Sequence, residues 1–141
     1  MEDEAMHEAT VGHQGKLNFR VESTLSNPSL PIEVLIVTAE LPGLLAAKRV
    51  WDFDGWLGLL SFFDELARNW RGWDGEISFA SIEGDLRLTA KHEGHVRIAF
   101  ELEEFAGPTP WRAQGELALD PGEELKTAAE SLRNLLTSIK P

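Results

Sequence analysis

Histidine and glutamate side chains that can bind a metal stand together in one short segment, His92-Glu93-Gly94-His95. The segment is one residue shorter than the His-Glu-x-x-His motif, which needs a helix to place both imidazoles on one face. Here it falls at the tip of a predicted hairpin, where we expect His95 to pair with Lys91, a cation that weakens metal affinity. The sequence therefore predicts an exposed turn and no metal site.

A second candidate for metal binding is Asp52-Phe53-Asp54-Gly55, which has the spacing of the start of a calcium loop. Such a loop ends on a bidentate glutamate, and Phe63 stands at that position. Because Phe63 lies within a predicted helix, we interpret Asp54 as the N-cap of that helix and expect no calcium.

The sequence offers few residues for covalent catalysis or cofactor binding, since it has no Cys and no Tyr. It lacks a Gly-x-Ser-x-Gly elbow, a phosphate loop and a dinucleotide fingerprint. Both histidines outside the N-terminal segment lie in the one predicted turn, and no pair of carboxylates is singled out by its spacing. We therefore expect no enzyme and no cofactor.

Length and charge narrow the class of protein further. The chain has 141 residues, about one domain, and a formal net charge of −11 that disfavours nucleic acid as a partner. Residues 1–13 carry carboxylates without Lys or Arg, so we predict a disordered acidic tail there and a single domain at 14–141. Without a long apolar run or a signal peptide, we expect no membrane span and a cytoplasmic location.

Apolar periodicity predicts the elements in the order β-β-β-α-β-β-β-β-α. The apolar stripe of the first helix runs from Trp56 to Trp70. The second helix begins with Asp120 and Glu123 in a capping box. We therefore expect an α+β fold in which two helices cover one face of an antiparallel sheet of about seven strands.

The register of the predicted hairpin follows from the parity of its apolar positions, that is, from whether their residue numbers are even or odd. The apolar residues of segments 85–91 and 95–103 are even-numbered, so partners share a face only across a loop with an odd number of residues. A three-residue loop at 92–94 puts Leu88 opposite Ile98 and Asp85 opposite Glu101. The same reasoning makes the inner face of the sheet apolar throughout, apart from Ser81.

The outer face then carries a strip of like charges, with Glu83 opposite Glu103 and Glu104 beside it. Like charges across strands cost stability. Arg112, predicted beside Glu103, and Arg87, predicted diagonal to Glu101, offer an explanation by local charge compensation, but the carboxylates outnumber these two cations. Among the tryptophans we expect Trp56, Trp70 and Trp111 in the core. Trp73, which follows Gly72, is the best candidate for partial exposure, and both core packing and a place in a contact surface stay open for it. The candidate partner-binding residues are Glu83, Asp85, Glu101, Glu103, Glu104 and Trp73.

Two motifs carry a resemblance to a known family: Trp70-Arg71-Gly72-Trp73 and Glu83-Gly84-Asp85-Leu86. With His95-Val96, Trp111 and the segment 119–125, they make the stretch 56–136 resemble an uncharacterised bacterial domain of unknown function. That family implies no catalytic residues. The layout is also similar to that of small bacterial immunity proteins, including those that neutralise wall-associated toxins.

These observations favour a non-enzymatic protein-binding domain of the immunity type, which would neutralise a cognate bacterial toxin. The acidic strip would attract a basic partner by electrostatic steering. The alternative is a small-molecule-binding protein or an enzyme that uses a pocket between the sheet and the helices.

Overall fold

The computed structural model describes residues 8–22 and 33–137. The first sheet consists of β1 (Glu8–Val11), β2 (Lys16–Val21), β3 (Val34–Leu41) and β4 (Leu44–Trp51). The second sheet consists of β5 (Ile77–Ala80), β6 (Leu86–Glu93), β7 (His95–Glu104) and β8 (Trp111–Leu119). The helices are α1 (Leu57–Arg68), between the sheets in sequence, and α2 (Glu123–Thr137), after them.

The α+β class and the antiparallel pairing are confirmed, but the single sheet of about seven strands is wrong. The strands form two four-stranded sheets, ordered β1-β2-β3-β4 and β5-β6-β7-β8. One face of each sheet contributes to a common core, where Leu41 of β3 lies close to Gly115 of β8. Alternation along a strand determines which face is buried, but it does not say which strand lies alongside, so one sheet and two sheets give the same pattern.

β1 occupies part of the segment predicted as a disordered tail. Its Ala9 and Val11 are buried, while Glu8 and Thr10 point outward, and the strand packs against α2. An alternation of only two apolar residues is too short to stand out in the sequence. Residues 1–7 of the predicted tail lie outside the described residues.

The β6–β7 register differs by two residues from the predicted one. Leu88 pairs with Phe100 rather than Ile98, and the hairpin closes at Gly94 between the paired Glu93 and His95. Gly94 has a φ of 85°, which a glycine adopts without strain. The predicted parity is confirmed, because a shift of two residues keeps every side chain on its face. The predicted pairing of Asp85 with Glu101 is wrong: Arg87 stands opposite Glu101.

The start of α1 differs from the expectation that Asp54 caps it. Trp56 is the N-cap, with φ 67° and ψ 33°, and no side chain makes a capping hydrogen bond. A left-handed conformation is strained for a bulky residue and persists only where its surroundings hold it. The Trp56 ring is fully buried, and its Nε1–H donates to the carbonyl oxygen of Glu33 at 3.2 Å.

α1 buries Leu59, Phe62, Phe63 and Leu66, so its apolar face is rotated relative to the stripe predicted up to Trp70. At the start of α2 the capping role belongs to Glu124, whose Oε1 accepts the Asp120 N–H at 2.9 Å, rather than to Glu123. Across 8–22 and 33–137, neither helix has the length and hydrophobicity needed to cross a membrane.

Candidate functional site

The predicted acidic strip is divided into two separate ion-pair groups. On the outer face of the second sheet, Arg87 Nη2 lies 3.3 Å from Glu101 Oε1 and 4.0 Å from Glu103 Oε1. Arg112 Nε lies 3.6 Å from the same Glu103 oxygen. The like-charge contacts expected from the sequence are therefore replaced by alternating charges, which stabilise neighbouring strands.

Asp85 belongs to the second group and is buried, with 2% of its surface exposed. Its carboxylate accepts a hydrogen bond from the Ser81 hydroxyl at 2.7 Å and lies 3.0 Å from Lys48 Nζ. Lys48 also lies 3.6 Å from Glu104 Oε1. Asp85 and Glu104 are thus drawn together by a lysine from the other sheet.

Sequence reasoning missed Lys48, although the sequence contains a signal for it. Lys48 lies on the same side of β4 as Leu44, Ala46 and Val50, which face the core. A lysine on an apolar face needs an anionic partner, because burying an unpaired ammonium group is costly. Its position therefore points to a carboxylate across the core, and the structure shows that this is Asp85.

Exposed apolar side chains accompany the carboxylates at this end of the second sheet. Ile82 is 46% exposed and Phe105 is 54% exposed. The Glu103 N–H donates to the Asp85 carbonyl oxygen at 2.9 Å, so the β5–β6 turn lies beside the end of β7. Glu83 in that turn is exposed and has no ion pair with the described residues. We call this surface the acidic end and define it as Ile82, Glu83, Glu103, Glu104 and Phe105.

Trp73, the remaining predicted site residue, is partly buried and therefore only partly exposed, as expected. Its Nε1–H donates to the Ala90 carbonyl oxygen at 3.4 Å, and its ring meets His92 edge to face at 5.2 Å. These contacts fix the loop after α1 to the second sheet. Trp70, which was expected in the core, is 46% exposed, because it lies beyond the last turn of α1.

No group of three His, Cys, Asp or Glu side chains within 8–22 and 33–137 is arranged to hold a metal ion. His92 Nε2 lies 2.9 Å from the Trp70 carbonyl oxygen, to which it donates. His95 pairs with Glu93 across the hairpin and not with Lys91. His92 and His95 therefore lie next to different residues, Trp70 and Glu93 respectively.

Asp52 is a buried acidic group outside the acidic end. Burial raises the pKa of its carboxyl above the ordinary value of 3.8. The hydrogen bond that the carboxylate accepts from the Phe53 N–H lowers the pKa, and the negative charge of Asp54 raises it. Next to Asp52 along the chain, the rings of Trp51 and Phe53 stack with their centroids 6.2 Å apart, and both are exposed.

A groove of about 660 Å³ lies between α1 and α2 on their solvent side, near Ala67, Trp70 and Ala129. It is distinct from the pocket between sheet and helices that the alternative function would use. The inner faces of both sheets are filled by buried side chains such as Phe19, Leu88 and Phe100.

Together the two sheets and two helices define an α+β domain. The chain belongs to a family of unknown function, DUF6228, whose model matches residues 10–139. The resemblance predicted from the two motifs is thereby confirmed. No curated protein and no solved structure matches the chain.

Proposed function

We propose that this protein is a non-enzymatic protein-binding domain that docks a basic partner on the acidic end. The observation that carries the proposal is the exposure of Ile82 and Phe105, both about half accessible, among carboxylates. Exposed apolar side chains rimmed by polar ones are typical of protein-binding surfaces. Aromatic anchors supply much of the binding energy of such surfaces.

The charge around this surface supports a basic partner. Five carboxylates, those of Glu83, Asp85, Glu101, Glu103 and Glu104, are accompanied by three cations, Lys48, Arg87 and Arg112. Asp85 is buried with Lys48, so its role is internal. The exposed remainder is negative, like the whole chain, and would speed association with a cationic protein in a salt-dependent way.

A bacterial toxin with a basic surface is the partner class that we propose, and neutralisation by occlusion is the mechanism. A chain without Cys suits the reducing cytoplasm, where such a neutralising protein would act. Association would be fast and electrostatically steered, while the apolar anchors would set the dissociation rate.

Photo-crosslinking in the native host tests the proposal. A benzophenone amino acid replaces Phe105, and in a control chain it replaces Phe53, which is 60% exposed in the loop between β4 and α1. We expect a specific adduct from position 105 only, with a basic protein identified by mass spectrometry. That protein should lose affinity for the Ile82→Ser, Phe105→Ser double variant and keep it for Phe53→Ser. Equal adducts from both positions, or no adduct from position 105, would contradict the proposal.

A further inference from the structure

The groove between α1 and α2 presents an indole that is held in place from behind. Trp70 lies at its edge, and its carbonyl oxygen accepts a hydrogen bond from His92 Nε2 at 2.9 Å. Three residues later, the Trp73 Nε1–H donates to the Ala90 carbonyl oxygen. Gly72 between them has a φ of 145°, a region that favours glycine. The Trp-Arg-Gly-Trp motif therefore anchors one indole and displays the other.

The side chains around this indole are mainly cationic. Arg68 and Lys126 line the groove, are exposed, and form no ion pair with the described part of the chain. Arg133 also lines it and pairs with Asp64. The Arg71 guanidinium stands 5.0 Å from the centroid of the Trp70 ring.

The local charge of the groove is opposite to that of the chain. It is lined by three cations, Arg68, Lys126 and Arg133, and by two carboxylates, Asp64 and Glu130, so it is weakly positive, whereas the chain as a whole has a net charge of −11. Arg68 and Lys126 can bind a phosphate or carboxylate group, and the exposed ring of Trp70 offers a surface on which a flat ring can stack. At about 660 Å³, the groove is also within the size range of small-molecule sites.

We propose that this groove binds a small organic anion. Its planar aromatic or heterocyclic body lies against Trp70, Ala67 and Ala129, and its phosphate or carboxylate is bound by Arg68 and Lys126. The inference is independent of the acidic end, which lies on the second sheet.

Proton–nitrogen correlation NMR of the full chain tests the proposal, with adenosine monophosphate and naphthoate as separate probes. The indole signal that disappears in Trp70→Phe identifies Trp70. We expect at least one probe to shift that signal saturably. A response to adenosine monophosphate alone assigns the site to nucleotide-like phosphates, and a response to naphthoate alone assigns it to aromatic carboxylates.

The charge requirement is tested with Arg68→Gln combined with Lys126→Gln, which should weaken binding at least tenfold. The matched control is Lys16→Gln combined with Arg20→Gln, two exposed cations on the first sheet, which removes the same charge and should leave affinity within twofold. Near-ultraviolet circular dichroism checks that both variants fold. An unmoved Trp70 signal with both probes, or equal losses in the two double variants, would overturn the proposal.

Discussion

Lys48 on β4 and Asp85 before β6 form an ion pair of 3.0 Å that joins the two sheets. The side chains are 13% and 2% exposed, so neither charge can be solvated fully by water once the other is removed. β4 lies against β7 at this point, where Lys48 also approaches Glu104. The pair therefore contributes to the packing of one sheet on the other.

Lys48→Met should lower the free energy of unfolding by about 2–4 kcal/mol, because it leaves a buried carboxylate without its cation while keeping the aliphatic stem. Urea unfolding measures this. Lys91→Met is the control, since Lys91 is half exposed and 3.6 Å from Glu76; its effect should stay below about 1 kcal/mol. Adding Asp85→Asn to Lys48→Met should recover part of the loss. Equal effects of the two lysine variants would show that the buried pair contributes nothing.

Reversing the charge of Glu101 distinguishes the observed β6–β7 register from the register predicted with a three-residue loop. Glu101→Lys places a cation opposite Arg87 and should lower the free energy of unfolding by about 0.5–1.5 kcal/mol. Opposite Asp85, as predicted from the sequence, the same change would be stabilising. Glu83→Lys is the control, because Glu83 has no ion pair among the described residues, and its effect should be within about 0.5 kcal/mol. Chemical denaturation in low salt gives both values. An increase in the free energy of unfolding for Glu101→Lys would favour the predicted register, with Asp85 opposite Glu101.

The raised pKa of Asp52 makes the free energy of unfolding depend on pH. Because burial raises its folded pKa above the ordinary 3.8, the folded state binds a proton more tightly than the unfolded state does. Its effect on stability is therefore most favourable below pH 3.8 and is lost as the pH rises through the folded pKa.

Asp52→Asn removes this titration, while its amide oxygen can still accept the Phe53 N–H. We expect the variant to be more stable than the wild type at pH 7, with the difference shrinking as the pH falls below the raised pKa of Asp52. Thermal unfolding across a pH series measures the difference. Asp54→Asn, which changes an exposed neighbour, is the control and should show a smaller pH-dependent gain. A constant difference for Asp52→Asn at all pH values would contradict the raised pKa.

Much of the fold was accessible from the sequence because burial follows alternation. Ile77 pairs with Ala90 and Ile98 with Leu117, so the apolar face predicted for these strands is the one that faces the core. Parity did not determine the β6–β7 register, since loops differing by two residues keep the same faces. The observed hairpin turns at Gly94 alone, and this shorter loop places Arg87, rather than Asp85, opposite Glu101.

The candidate site was less predictable because its main contacts join distant parts of the chain. Glu101 and Glu103 were expected near each other, and they are, through Arg87. Asp85 was expected on the outer surface, but Lys48 from the other sheet draws it into the interior. The exposure of Trp70 depends on where α1 ends, and helical spacing alone continued its apolar stripe too far.

Gly115 of β8 lies where the second sheet packs tightly against Leu41 of the first, and it gives the last prediction. A Cβ there would lie 3.0 Å from the Phe100 ring and 3.1 Å from Leu41 Cδ2. Gly115→Ala should therefore lower the free energy of unfolding by about 1–2 kcal/mol, since crowding outweighs the smaller entropy of the unfolded chain. Gly122→Ala is the control: a Cβ there meets nothing within 4 Å, so stability should hold or rise. Phe100→Leu should be less harmful in the Gly115→Ala background than alone, because the smaller side chain relieves the contact. Additive losses in that double-mutant cycle, measured by urea unfolding, would mean that Phe100 does not limit the space at Gly115.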